Sequence, residues 1–204
     1  MMKTLLRIDS SPRVARSHSR VLTASFAEAW LRANAGGRAI HRDLGAAPVP
    51  VVSEEWIAAA FIDPAQQTAE QRAAIAISNE LVDELVGADE VVIGAPMYNF
   101  GISASLKAWI DQIVRVGRTV DYPSNKGLVK GKKVTVISTR GWEYAPGKPW
   151  AAHDAQVPYL RQILGFLGMD DVSVVCAEGL AGPDDARRES LERAAAEVER
   201  MALG

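Results

Sequence analysis

The stretch Gly94-Ala95-Pro96-Met97-Tyr98-Asn99-Phe100-Gly101-Ile102 holds the side chains best suited to a flat ring with polar edges: a rigid proline, a thioether, two aromatics and an amide. Aromatic and thioether faces stack on a ring, and the amide reaches its edge. A second stretch, Asp9-Ser10-Ser11-Pro12-Arg13-Val14-Ala15-Arg16-Ser17-His18-Ser19, crowds hydroxyls and basic groups ahead of a helical pattern. The first turn of a helix leaves backbone N–H groups unpaired, so an anion such as a phosphate suits this place. Both stretches have plainer uses. On the plainer reading Ser17 only caps the helix, and Met97, Tyr98 and Phe100 only pack a dimer contact. A third stretch, Thr139-Arg140-Gly141-Trp142, follows another apolar run.

These residues need a scaffold that brings them together, and the apolar pattern supplies one. Short strands are expected at Thr4 to Ile8, Arg38 to Arg42, Asp89 to Ile93, Val134 to Ser138 and Val172 to Cys176. Helical spacing separates them. One stripe, Leu22, Phe26, Ala29 and Ala33, stops before Gly36-Gly37; another, Ile102, Leu106, Ile110 and Ile113, lies on a helix from Ser103 to about Val116. Thr68 and Gln71 form a capping box for a helix that buries Ile77, Leu81 and Leu85. Further helices are expected at Trp56 to Ile62, as a short helix or lid, at Ala155 to Leu167, and from Pro183 to Met201 with Leu191, Ala195 and Val198 inward. Trp56 and Phe61 fit a satellite core or an active-site rim, with packing favoured. Tyr122 to Gly127 reads as loop, and Lys126, Lys130, Lys132 and Lys133 as a solvated face, with attraction of an anionic substrate or pyridine nucleotide as the less favoured alternative.

Strands alternating with helices imply a doubly wound α/β fold: a five-stranded parallel sheet in the order 2-1-3-4-5, with helices on both faces. In that order the first and third strands are neighbours. The loops Ser10 to Ser19 and Pro96 to Gly101 then meet at one crevice, flanked by Thr139 to Trp142. At 204 residues the whole chain, 1–204, is expected to be one domain. A formal net charge of -2 gives no global pull toward nucleic acid or an anionic membrane. There is no apolar run of spanning length and no leader-like start, which makes the cytoplasm the default location. The single cysteine, Cys176, is expected to be a buried, inert thiol. No Gly-x-Gly-x-x-Gly follows the first strand, no phosphate-loop or serine-elbow motif occurs, and His18, His41 and His153 are too scattered to indicate a metal.

Ala95-Pro96-Met97-Tyr98-Asn99-Phe100, with Ser103 and Leu106-Lys107 after it, resembles the central motif of the FMN-dependent NADH:quinone oxidoreductases with azoreductase activity. Asp9-Ser10-Ser11, Ser17-His18-Ser19, Arg42-Asp43-Leu44, Gly131-Lys132-Lys133 and Ala177-Glu178-Gly179 match in family order and extend the resemblance over essentially the whole chain. It implies a flavodoxin-like homodimer with FMN at the interface, reduced by NADH in a ping-pong cycle and oxidised by quinones or azo compounds. Carried over residue by residue, Ser10, Ser17, His18 and Ser19 resemble phosphate ligands. Pro96, Met97, Tyr98, Asn99 and Phe100 resemble the flavin-ring loop, and Thr139, Arg140 and Gly141 the third loop. The hydride is carried at flavin N5, so no side chain is required as a catalytic acid or base, and backbone N–H groups near Asn99 and Gly141 support the ring. Trp142 replaces a family glycine, which implies unchanged FMN binding and a narrower, more aromatic acceptor site. Tyr122 resembles an aromatic contributed across the dimer interface. Two other classes remain open on these residues: a non-enzymatic flavodoxin-like electron carrier and a flavin- or quinone-sensing protein.

Overall fold

The computed structural model describes residues 2–204. Parallel strands covered on both faces need apolar residues on both sides, and the central ones have them. They are β1 (Thr4–Asp9), β2 (Arg38–Asp43), β3 (Glu90–Pro96), β6 (Lys133–Thr139) and β7 (Asp171–Ala177). All pair in parallel, in the order β2-β1-β3-β6-β7. This is the flavodoxin-like five-stranded sheet. The numbering departs from 2-1-3-4-5 because a two-stranded antiparallel ribbon, β4 (Val120–Asp121) and β5 (Lys126–Gly127), interrupts the expected loop before β6.

Alternation along the strands divides the core in two. Leu6, Ile8, Val91, Ile93, Val134 and Val136 face one side; they pack under α4 (Ala76–Gly87), α5 (Ala104–Ile113) and α6 (Val157–Phe166). Leu5, Val92, Ile137 and Val175 face the other, under α1 (His18–Ala33) and α7 (Asp184–Ala202). The expected buried stripes change at two places, by three residues in α1 and by one in α7. Ala33 is exposed and Trp30 carries that end of α1, while Ala194 rather than Ala195 points inward from α7. Both follow from 3.6-residue periodicity, which lets a small alanine sit on either side of a stripe's edge.

The connection from β2 to β3 holds α2 (Glu54–Ala60), α3 (Ala69–Ala74) and α4. The Thr68–Gln71 capping box forms, but α3 ends at Ile75 and α4 starts anew. Trp56 packs with Ala59 and Ile75 in a satellite core, whereas Phe61 is exposed. Lys132 is no freely solvated cation, since its ammonium donates to the Val86 and Ala88 carbonyls. Cys176 is exposed on β7, which lies at the sheet edge, so the expected burial is corrected; an edge strand has one neighbour fewer to cover it. Partial desolvation still raises its thiol pKa.

Register aligns the strand ends that matter. Asp9 pairs with Asp43 on one side and Gly94 on the other, and Pro96, Thr139 and Ala177 form a continuous row. The loops after β1, β3, β6 and β7 therefore leave the sheet at one end. No helix among the described residues is long and apolar enough to cross a membrane.

Candidate functional site

The β1–α1 loop and the β3–α5 loop, about eighty residues apart in sequence, face each other across a crevice of 350 Å³. Ser11, Arg13, Arg16, Ser17 and His18 line one wall, Pro96, Met97 and Tyr98 another, and Thr139, Arg140 and Gly141 a third. Leu180 and Ala181, from the loop after β7, complete it.

The anion wall is built on the start of α1. Ser17 caps the helix, its Oγ accepting from the Arg20 N–H, while the hydroxyls of Ser17 and Ser19 lie 3.1 Å apart. Among the described residues nothing accepts from the backbone N–H of His18 or Ser19. Those donors, the positive end of the helix and the cations Arg13 and Arg16 converge on one place. Burial, then Arg187 and Arg13, push the His18 pKa below 6.5 and keep its imidazole neutral at pH 7. Ser10 lies one layer deeper than expected: it is fully buried and donates to the Gly94 carbonyl at 2.7 Å, tying β1 to β3. Ser11 takes its place on the wall.

A partly buried clamp that the sequence alone did not suggest positions this loop. The guanidinium of Arg20 meets both oxygens of Asp43 at 2.5 Å and donates to the Ser11 carbonyl at 2.8 Å. The Arg20 hydrogen bond, opposed by burial, draws the Asp43 pKa down to about 2, with the Ala46 and Gly45 N–H groups assisting. The one available signal was the Arg42-Asp43-Leu44 motif, whose acid ends the strand beside β1.

The ring wall depends on a strained turn. Tyr98 and Gly101 exchange backbone hydrogen bonds at 3.0 and 2.9 Å, and the two residues between them, Asn99 and Phe100, have φ of 48° and 70°. Positive φ at both central positions is the type I′ arrangement; a bulky residue held there costs about 1–2 kcal/mol. Such strain persists where surrounding structure enforces it, often at binding sites. The turn directs Pro96, Met97 and Tyr98 into the crevice, Asn99 into an adjoining hollow beside Ile102 and Ser103, and Phe100 toward Trp150 and His153. Phe100 and Trp142 thus flank the crevice rather than line it.

The third wall is braced from beneath. Gln156, fully buried, donates to the Ala95 carbonyl at 2.8 Å and accepts from Ser138 at 2.6 Å. Arg140 donates to Ser138 at 2.8 Å and meets Asp154 at 3.0 Å and Glu178 at 3.1 Å, while its buried Nη2 has no partner among the described residues. The backbone N–H groups of Asn99 and Gly141 also lack an acceptor among them. Tyr122 is elsewhere. Its ribbon packs on Leu167 and Gly168, at the end where the strands begin, so this chain does not bring it to its own crevice.

The donors thus fit a ligand with an anionic group at one end and a flat ring with acceptors along its edge. A family model described as "Flavodoxin-like fold" matches residues 2–201. An "FMN-dependent NADH:quinone oxidoreductase 2" of Trichormus variabilis is 52% identical over 193 residues, covering 93% of each chain. The chain belongs to this flavodoxin-like family of FMN-dependent NADH:quinone oxidoreductases. Another member, from Acidobacterium capsulatum, is 47% identical over 94% of this chain and 95% of its own. Among solved structures, an FMN-dependent NADH-azoreductase from Bacillus anthracis, in complex with FMN, superposes with a TM-score of 0.87 at 27% identity over 98% of both chains. Family membership accounts for the shared scaffold. Arg20, Leu180, Ala181 and Trp150 enter the site's surroundings through tertiary packing, which their local sequence patterns do not announce.

Proposed function

We propose that the crevice binds FMN and that the whole chain, 1–204, is one FMN-binding domain of an enzyme that passes two electrons from NADH to quinones. The observation that carries this reading is the convergence of an anion wall, a ring wall and a polar-edge wall on one crevice. Ser11, Ser17, His18 and the start of α1 would hold the phosphate, with Arg13 and Arg16 neutralising it and Ser10 and Ser19 shaping the cradle from below. Pro96, Met97 and Tyr98 would support the ring's face, and the Asn99 and Gly141 N–H groups its polar edge. Thr139 and Arg140 would form the edge of the same pocket, and Phe100 and Trp142 its rim.

When bound, FMN supplies a hydride store at ring N5, so no side chain needs to act as an acid or base. The residues of this chain would orient the ring, place backbone donors where negative charge develops, and admit the two substrates in turn. Donor and acceptor taking the same place gives a ping-pong cycle. The balance is NADH, one proton and a quinone giving NAD and a hydroquinone. Cleaving an azo bond to two amines takes four electrons and so two cycles, which makes quinone reduction the broader activity. None of the three walls carries a glycine-rich fingerprint for an adenosine, so NADH would be held by stacking and loop charge. We propose a cytoplasmic location, a compartment that supplies NADH. We further propose a homodimer that brings Tyr122 of one subunit toward the crevice of the other.

The deciding experiment is a spectrum of the purified protein and identification of the released cofactor, followed by anaerobic mixing with NADH and then menadione. A yellow protein bleached by NADH and recoloured by menadione is expected. Protein that neither contains nor takes up flavin would end this reading.

A further inference from the structure

At Gly141 the crevice is adjoined by a second cavity of 390 Å³, walled by Trp142 and Trp150 and rimmed by Glu189, Ser190 and Arg193. Trp30 and Trp109 are buried in the cores and Trp56 in the satellite cluster, but Trp142 and Trp150 are 52% and 38% exposed. They are not isolated. Trp150 lies 6.3 Å from Trp142 and 6.3 Å from Phe100, centroid to centroid, with planes within 20° and 22° of parallel. His153 closes the row at 5.3 Å from Phe100 and 5.4 Å from Trp150.

The row is held in place by the backbone. The Ala155 N–H donates to the Phe100 carbonyl at 3.1 Å, the His153 N–H to Trp150 at 2.9 Å and the Gly179 N–H to Trp142 at 3.3 Å. Lys148 and Glu143, 3.1 Å apart, link the segments that carry the two indoles. Exposed aromatic rings, nearly parallel, fixed by main-chain bonds and walling a cavity rather than a flat surface, form a stacking site. Gly141 lines both hollows, which sets them side by side.

We propose that the Trp142–Trp150 cavity is a second aromatic subsite, which stacks the outer planar ring of an elongated substrate whose reacting end occupies the crevice. Trp150 is a specificity-determining residue in this scheme. That the reacting end is reduced there rests on the flavin reading above; that the cavity binds a planar ring does not. The ring has two possible sources, the far ring of an aromatic acceptor or the adenine of NADH, and both offer the same flat π face.

The test compares wild type with Trp150→Ala, Trp150→Phe and Trp142→Gly. In kinetics, methyl red is set against 1,4-benzoquinone, and NADH against reduced nicotinamide mononucleotide. In calorimetry without reductant, methyl red and adenosine monophosphate are titrated into the oxidised protein. If the ring belongs to the acceptor, Trp150→Ala lowers the methyl red to benzoquinone ratio of kcat/KM about tenfold, through KM, and weakens methyl red binding. If it is adenine, the NADH to mononucleotide ratio and adenosine monophosphate binding fall instead. Trp150→Phe restores most of either loss, and Trp142→Gly, a loop substitution, carries the same comparison should Trp150→Ala fail to fold. Ratios and binding that do not change, or an equal loss for every substrate, overturn the proposal. Calorimetry needs no bound flavin, so absence of flavin and absence of this subsite are seen separately.

Discussion

His18 shows how one residue's surroundings define its task. Burial and two arginines lower its pKa, so at neutral pH it faces the anion wall uncharged. In the flavin-free protein the sign is clear: a base with a depressed folded-state pKa contributes stability that is present above pH 6.5 and lost as the pH falls through the lowered value. A phosphate beside it reverses the balance, because a nearby anion favours the imidazolium. The His18 pKa, followed by NMR, is therefore expected to rise when FMN is added and to stay low with riboflavin, which has the ring but no phosphate. An equal response to both flavins would place the phosphate elsewhere.

Among the elements, the β1–α1 loop depends on its neighbour after β2. Gly45 lies so close that a Cβ there would sit 2.0 Å from the Ser11 carbonyl oxygen and 2.5 Å from Arg20 Nη2. That contact lets the Arg20–Asp43 clamp hold Ser11 against the crevice. Gly45→Ala must displace backbone rather than a flexible side chain, at a cost of about 1–3 kcal/mol. The expected outcome is a lower melting temperature together with a larger loss of FMN affinity than of quinone turnover per bound flavin. An alanine variant with wild-type affinity would show that the Ser11 loop is not held by this contact. The strained Tyr98–Gly101 turn illustrates the same principle on the opposite wall, where the conformation is imposed by two backbone hydrogen bonds and the Ala155 contact.

At the scale of the whole molecule, the crevice and Tyr122 lie at opposite ends of one sheet, and Tyr122 is 59% exposed. Within a single chain they do not interact. The proposed homodimer makes a definite claim: sedimentation should give twice the chain mass, and Tyr122→Ala should alter acceptor KM while leaving the fold intact. If the protein sediments as a monomer, or if KM is indifferent to Tyr122, the partner contributes nothing there.

Much of this arrangement was legible in the residue pattern. The apolar strand at Val91, Val92 and Ile93, the capped start of α1 at Ser17 and the Pro96 to Phe100 motif are local features, set by periodicity and by the conformational limits of a few residue types. Five strands alternating with helices admit few wirings, so the meeting of the first and third loops followed as well. What sequence could not reveal was depth and direction. Ser10 and Ser11 are adjacent and chemically identical, yet the course of the chain after β1 buries one hydroxyl on Gly94 and brings the other residue to the crevice. Cys176 is exposed because β7 is an edge strand, and Phe100, Trp150 and Trp142 form one row because three separate loops fold back together. Local sequence determined the elements and the donor chemistry at their ends; packing between distant segments alone decided which of those groups face the same space.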